Sequence, residues 1–491
     1  MGGYKKFVLK TVLSSDKLVL KLKKQKWWVE EAPGVPFLFD YIMKTFVSHQ
    51  NIIGYPSLRE HILIKNKNIS LEISPYNEKI SNFKFLIKNE TKNFGYFLNL
   101  IKPWEKLRND LLKLNKEVLS KVAHYNNEKL FLFVKQFTKI SFESVVYGSF
   151  IECVDPFTEY YKNIFQKKYK LSSEQALLYI GILSTPKRRS FLTQEKIDFY
   201  KLCLKKVTYK YYLNKYFWIH TNYSQSKDII QSDLKKAIKQ ELSLGILYIR
   251  KQINETIRKE RDLHKKKINL SKKIKLDQKD KTIFKLISLC AEYIDIRKES
   301  MMRNTYARDK LLLIISKNKK INIKKLRNLR DEELLDLIQN KKLNWQPINK
   351  RTNGYVVYFT PKSSIDFYDK SVKVIYEGYL KSIFQKILSG TVASAPIDKI
   401  RGKICIVVDV HKEKFKPGTI LVTTMTRPEF MSHMRKAQAI ITDEGGITCH
   451  AAIISRELHI PCIIGTKIAT KFLKNGDFVE MNLKNGIIQK L

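Results

Sequence analysis

Residues 443–466 read DEGGITCHAAIISRELHIPCIIGT, and this stretch decides how the end of the chain folds. Gly445 and Gly446 follow the β-branched run AIITD, and beyond them Ala451, Ala452, Ile454 and Leu458 recur at helical rather than alternating spacing. The order is therefore strand, glycine turn, helix, strand. Glycines let the chain turn tightly as it leaves the strand, and they leave room for a bulky group beside them. Thr448 stands where an N-cap belongs, so His450 is expected in the first helical turn. Backbone N–H groups and the positive end of the helix dipole favour an anion there. Histidine as a residue type titrates near about pH 6.5, which leaves a neutral fraction able to attack phosphorus at neutral pH. A histidine at a helix start can equally serve as a cap or a packed core residue.

Outward from this stretch, short apolar runs alternate with turns: KICIVVDV, GTILVTT, AQAIITD, IPCIIGT and DFVEMNL. Seven of the 18 glycines fall in the last 101 residues and eleven in the 390 before them. That density predicts a compact, turn-rich α/β unit whose boundary lies near ILSGTVASAPIDKIRG.

The pattern TDEGGITCHAAIISRELHIPCIIGT resembles the active-site signature of the phosphohistidine, or swivelling, domain of the phosphoenolpyruvate-utilising enzymes. Gly445, Gly446, Thr448, His450, Ala452, Ile453, Arg456, Pro461, Gly465 and Thr466 fall where that family pattern puts them, and the likeness extends upstream through GTILVTTMTRPEF and GTVAS. The resemblance covers about the last 100 residues. It implies that His450 carries phosphate, with Thr448, Gly445 and Gly446 positioning it. Thr426 and Arg427, on a loop after a strand, are further candidates for phosphate contact, against the alternative of a solvent-facing turn. Cys449, in a slot for a small side chain, is a further candidate for phosphate contact, with a packing thiol as the favoured reading.

The resemblance also exposes what is missing. Members of the family move the histidine between an ATP-grasp domain and a second active site, but residues 1–390 contain no glycine-rich phosphate loop and no barrel-like strand–helix alternation. Mg²⁺ with ATP or phosphoenolpyruvate is accordingly expected at a partner's site, with an ATP-grasp protein acting in trans. No metal-ligand spacing occurs in this chain.

Upstream, after Asp280, a good N-cap, the residues Ile283, Leu286, Ile287, Cys290 and Ile294 share one helical face, and DEELLDLIQ from Asp331 is a second amphipathic helix, acidic in its first turn. RKERDLHKKKINLSKKIKLDQKDK reads as a solvated helix end or hairpin tip. GYVVYFTP and SVKVIYEGYL read as β-rich. The chain is thus expected to be multidomain: a mainly α-helical N-terminal and central region followed by a compact α/β swivelling phosphohistidine domain. The expected divisions are 1–110, a mixed region left unassigned, 111–345, helical and a candidate acceptor-binding region, 346–389, a β-containing connector, and 390–491, the swivelling domain. In rifampin phosphotransferase-like members a helical substrate region precedes the phosphohistidine domain, and this order is similar. Arg297, Arg303 and Arg308 are candidates to line an anionic acceptor cleft, with the solvated face of a packed helix as the alternative. His220, beside Trp218, is a candidate base for an acceptor hydroxyl.

The formal net charge is +45, from 92 Lys+Arg against 47 Asp+Glu, and residues 391–491 contribute only 15 basic against 9 acidic side chains. Such an excess upstream attracts polyanions or acidic membrane faces, although a Lys-rich composition alone produces it too. Nucleic acid is an admissible partner, but no nucleic-acid-binding motif accompanies the charge. Hydrophobic residues at 44% and aromatics at 11% exclude a disordered chain. The six cysteines form no C-x-x-C pair, and no signal peptide, membrane span or myristoylation site is read at the N-terminus, so reduced thiols in a cytoplasmic protein are expected.

Two functions stay open on the sequence. One is a phosphotransferase component in which His450 is loaded from ATP through a partner, or from phosphoenolpyruvate, and passes its phosphate to a small-molecule or protein acceptor. The other is a catalytically reduced swivelling domain on a basic helical platform, acting as a polyanion- or protein-binding module.

Overall fold

The computed structural model describes residues 13–24, 27–31, 53–66, 69–221, 225–380, 388–408, 410, 413–426, 430–445, 449–466 and 468–491. After a short helix α1 (Ser15–Leu22) and strands β1 (Trp27–Glu31), β2 (His61–Asn66) and β3 (Ile69–Pro75), helices follow one another as far as residue 353. They are α2 (Tyr76–Lys92), α3 (Tyr96–Ser120), α4 (Asn127–Ser149), α5 (Val154–Lys168), α6 (Ser173–Leu183), α7 (Phe191–Cys203), α8 (Tyr209–Tyr216), α9 (Gln231–Ser243), α10 (Ile246–Lys273), α11 (Gln278–Lys319), α12 (Ile323–Leu326), α13 (Asp331–Ile338) and α14 (Trp345–Asn353).

Helix α11 organises this body. Its 42 residues give it a length of roughly 60 Å, enough to serve two cores. The face read from sequence, Ile283, Leu286, Ile287 and Cys290, packs with Phe83 of α2 and Phe157 and Phe165 of α5. Farther along, Ala307, Leu311, Leu312 and Ile315 pack with Leu111 and Leu114 of α3 and with Phe133 and Phe137 of α4. The helix begins earlier than Asp280, the residue expected to cap it. Asp277 is the N-cap, its side chain accepting the Asp280 N–H at 2.8 Å. Asp280 lies in the first turn, buried, and its carboxylate accepts from Tyr161 at 2.5 Å, from Lys168 at 2.7 Å and from Tyr169. The basic run before it is the end of α10 and the turn into α11, in keeping with a helix-hairpin tip.

Strands β4 (Gly354–Thr360) and β5 (Ser363–Tyr368) join the N-terminal strands in a five-stranded antiparallel sheet of order β1-β3-β2-β4-β5, with His61 opposite Phe359 and Ile64 opposite Val356. SVKVIYEGYL, read as β-rich, is instead helical: α15 (Lys370–Ile375) runs on as a wider turn over Tyr376–Leu380. Val372 and Ile375, three residues apart, bury one side in the cluster that holds Leu18 and Leu22 of α1. This tertiary packing overrides the β preference of the valines and tyrosines.

The C-terminal unit is an eight-stranded sheet of order β6-β13-β12-β8-β9-β10-β11-β7. Its members are β6 (Leu388–Ser389), β7 (Thr391–Ser394), β8 (Lys399–Ile406), β9 (Ile420–Thr423), β10 (Ala439–Thr442), β11 (Cys462–Ile464), β12 (Phe478–Asn482) and β13 (Ile487–Lys490), with the short helix α16 (Met431–Met434) between β9 and β10. Strands β8 to β11 are parallel neighbours and the other pairings are antiparallel. β6 and β7, the two outermost strands, are separated in sequence by Gly390 alone, so the sheet curls until its edges meet there. A Cβ on Gly390 would stand 2.5 Å from the Ile464 carbonyl oxygen, which explains the glycine. Of the parallel strands, β9, β10 and β11 are buried on both faces, hence their unbroken apolar runs, whereas β8 keeps Lys399, Arg401 and Lys403 exposed. Ile420, Val422, Ala439, Ile441 and Ile463 face one cluster, while Leu421, Ile440, Cys462 and Ile464 face the other. The architecture is therefore the expected one, a helical N-terminal and central region followed by a compact α/β unit. All six cysteines are free thiols. Among the described residues, no helix is long and apolar enough to cross a membrane.

Candidate functional site

Three loops leave the carboxyl ends of the parallel strands β9, β10 and β11, the edge where open α/β sheets place their ligands. The loops are bonded to one another. Asp443 and Glu444, just after β10, donate their N–H groups to the carbonyls of Thr423 and Thr424 at 3.0 and 2.8 Å, and the Thr466 N–H after β11 bonds the Thr442 carbonyl at 3.0 Å. Beyond Gly445 the chain enters helix α17 (His450–Glu457), whose Ala451, Ala452 and Ile454 are buried against the sheet. His450 is the first residue of that helix, as expected. The N-cap, expected to be Thr448, is Cys449: its backbone is extended and its Sγ accepts the Ala452 N–H at 3.5 Å.

Gly445 makes this entry possible. Its φ is +123°, and a Cβ there would stand 2.7 Å from the Cys449 sulfur. Both the backbone shape and the close approach thus require glycine. Burial pushes the Cys449 thiol up, against the pull of the Ala452 and Ala451 N–H groups, so it stays protonated at neutral pH and acts as a cap rather than a nucleophile.

Beneath the turn lies a polar cluster that the sequence reading did not single out. Asp443, 1% exposed, accepts the Thr466 hydroxyl at 3.2 Å and the Thr470 N–H at 3.1 Å, and its second oxygen accepts the Thr470 hydroxyl. The Thr466 hydroxyl also donates to the Thr442 carbonyl at 2.9 Å. The carboxylate therefore ties the loop before His450 to β11 and to the short helix α18 (Ala469–Phe472). Asp443 and Thr466 stood in the quoted stretch, but Thr470 carried no signal, because only the fold brings it alongside.

Of the other candidates, Thr426 is buried on the loop after β9, next to the strand-end bonds that link β9 and β10. Arg427, Gly446 and Thr448 lie outside the described residues. The three arginines of α11 enter separate ion pairs. Arg297, 7% exposed, pairs with Glu152. Arg303 pairs with Glu299 at 3.0 Å, donates to the Lys215 carbonyl and stacks 4.8 Å over Trp218. Arg308, 1% exposed, pairs with Asp331 at 2.7 Å. His220 is exposed in the turn that follows α8. Arg303 thus stacks on Trp218, two residues before His220 in the chain, whereas Arg297 and Arg308 pair elsewhere. Among the described residues no three of His, Cys, Asp and Glu converge as metal ligands.

An α/β unit in which a glycine turn at the end of a parallel strand leads into a histidine-headed helix defines the class. Residues 415–486 match the family model described as PEP-utilising enzyme, mobile domain. The probable phosphoenolpyruvate synthase of Pyrococcus horikoshii is 50% identical over 105 residues, 21% of this chain and 12% of that protein. That of Archaeoglobus fulgidus is 38% identical over 144 residues, 29% of this chain and 19% of the relative, and the phosphoenolpyruvate synthase of Synechocystis is 39% identical over 118 residues. The match with the Pyrococcus relatives spans about an eighth of their length, 12–13%. Residues 415–486 of the C-terminal unit thus match the mobile domain of the phosphoenolpyruvate-utilising enzymes, and the alignment with these relatives takes in no more than 29% of this chain.

Proposed function

We propose that this protein is a phosphotransferase component in which His450 carries a phosphoryl group between a donor and an acceptor. The observation that supports it best is the entry to α17. A turn open only to glycine, braced by a buried carboxylate, sets a histidine at the first position of a helix whose dipole favours negative charge. In the step itself an imidazole nitrogen attacks the transferable phosphorus in line. An N–P bond forms, the O–P bond to ADP or to enolpyruvate breaks, and the leaving group departs with the electron pair. Helix α17 and the loops after β9 and β11 supply the fixed surroundings of that step. Phosphate is loaded either by a separate ATP-grasp protein or directly from phosphoenolpyruvate, with Mg²⁺ accompanying the donor. Transfer to an acceptor at the helical body, around Arg303 and His220, completes the cycle.

The test is incubation of the purified chain with labelled phosphoenolpyruvate or ATP and Mg²⁺, with and without lysate from its source. Acid-labile, base-stable label that needs lysate marks a carrier loaded by a partner, and label without lysate places a donor site in this chain. No label with either donor in the presence of lysate contradicts the reading.

A further inference from the structure

Helices α9 and α10 form a hairpin on the helical body, remote in sequence from the mobile domain, and the turn between them carries an unusual concentration of exposed apolar side chains. Leu247 is 80% exposed, Leu244 55% and Ile246 53%, and Leu242 and Tyr248 are exposed beside them. Five large apolar groups within seven residues face solvent at a hairpin tip. Scattered exposed leucines need no explanation, but a contiguous apolar tip does.

The tip is held in shape. Leu234 of α9 is buried with Leu202 of α7 and Tyr212 and Tyr216 of α8, and Ile249 of α10 is buried with Tyr200 and Cys203 of α7. At the turn the Leu244 N–H bonds the Glu241 carbonyl at 3.1 Å and the Gly245 N–H bonds the Leu242 carbonyl at 3.0 Å. The hairpin is thus anchored on α7 and α8 at both ends, through Leu234 at its base and through Ile249 beside the tip, with the turn's backbone groups engaged and the apolar side chains of the turn left exposed.

Below the tip, the exposed charges between residues 231 and 259 are seven basic, Lys235, Lys236 and Lys239 on α9 and Arg250, Lys251, Arg258 and Lys259 on α10, against Asp233 alone. Among the described residues only Lys251 of these seven has a carboxylate in salt-bridge range, Glu255 at 3.9 Å. An apolar prong above a cationic sleeve is the pattern that an anionic bilayer accepts: aliphatic side chains enter the acyl boundary while lysines and arginines stay at the headgroups.

We propose that the α9–α10 tip docks this protein onto an anionic lipid surface. The charge excludes a second copy of the same tip, because two like sleeves repel. The aliphatic character disfavours nucleic acid, whose bases stack on aromatic rings, of which this tip offers Tyr248 alone. This inference stands independently of His450.

The experiment is co-sedimentation of the chain with phosphatidylcholine vesicles containing about 30% phosphatidylserine at about 0.1 M salt. The chain is expected to pellet with them, and at least about tenfold more weakly with phosphatidylcholine alone. The paired substitutions Leu244→Ser with Leu247→Ser, and separately Lys235→Glu with Lys239→Glu, are expected to weaken binding at least about tenfold each. All four side chains are exposed, so the fold is kept. In Leu247→Trp, the added fluorophore is expected to shift blue when anionic vesicles are added. Absence of pelleting overturns the proposal, as does pelleting that the leucine pair leaves unchanged. A change in oligomeric mass, or in capture of a protein or RNA, that the leucine pair abolishes without any vesicle binding reassigns the tip and overturns the lipid surface.

Discussion

The helical body and the C-terminal unit bury polar groups for different ends. In the body, arginines and carboxylates from distant helices brace one another: Arg297 with Glu152, Arg308 with Asp331, Arg351 with Glu333 at 2.6 Å and Arg327 with Asp309 at 2.7 Å. In the C-terminal unit, buried polarity gathers at the carboxyl ends of parallel strands, where Thr442, Asp443 and Thr466 fix the loop before α17. A paired arginine inside the body is therefore poor evidence of a binding site, since it serves as an internal strut. A carboxylate under a glycine turn is better evidence, because the shape it maintains is one that no packing requirement explains.

Four substitutions break or sharpen this contrast. The largest loss is expected for Asp280→Ala in the body, which strips the acceptor from two tyrosines and Lys168. Urea unfolding should show about 3–5 kcal/mol of destabilisation, and a loss below about 1 kcal/mol would remove the view of the body as internally braced. Next comes Gly390→Ala, where the added methyl meets a backbone carbonyl that cannot swing aside. About 3 kcal/mol is expected, at the upper end for overpacking, together with a lower unfolding midpoint of the C-terminal unit.

Gly445→Ala is expected to cost less stability, about 2 kcal/mol for a strained positive φ, while abolishing phosphate acceptance by His450. Equal damage to folding and labelling at Gly390 and Gly445 would erase the distinction between closing the sheet and shaping the site. The smallest effect is a pH slope in the body. Burial, with the Lys187 charge adding to it, pushes Lys267 down to about 8. An unfolded lysine keeps its proton to about pH 10.4. Between these values the unfolded chain binds the extra proton, so stability rises with pH across that window. Unfolding midpoints at about pH 7.5 and 9.5 should show this rise in the parent chain and a flatter response in Lys267→Met.

Much of the C-terminal unit was legible because its signals are local. Apolar runs of four to eight residues marked β8 to β12, and the glycine pair with His450 marked the turn and helix. The final strand β13 and the closure at Gly390 were not, since both depend on which distant strands pair. The same applies to the five-stranded sheet: β2 and β4 are nearly 300 residues apart, and no local pattern states that they meet. Ile283 to Cys290 gave the correct buried face of α11, but its cap is Asp277, because Asp280 is drawn inward by Tyr161 and Lys168. Cys449 rather than Thr448 caps α17, a substitution of sulfur for the expected hydroxyl that a residue preference cannot foresee. The Asp443–Thr470 bond was illegible for a plainer reason, a separation of 27 positions along the chain.

The most direct measurement is the intact mass of the parent chain and of His450→Ala after incubation with phosphoenolpyruvate or ATP, Mg²⁺ and lysate. A single acid-labile, base-stable phosphate on the parent and none on the variant, with an unchanged melting temperature, is the expected result. The same phosphate on His450→Ala, or none on the parent with either donor, would contradict the account.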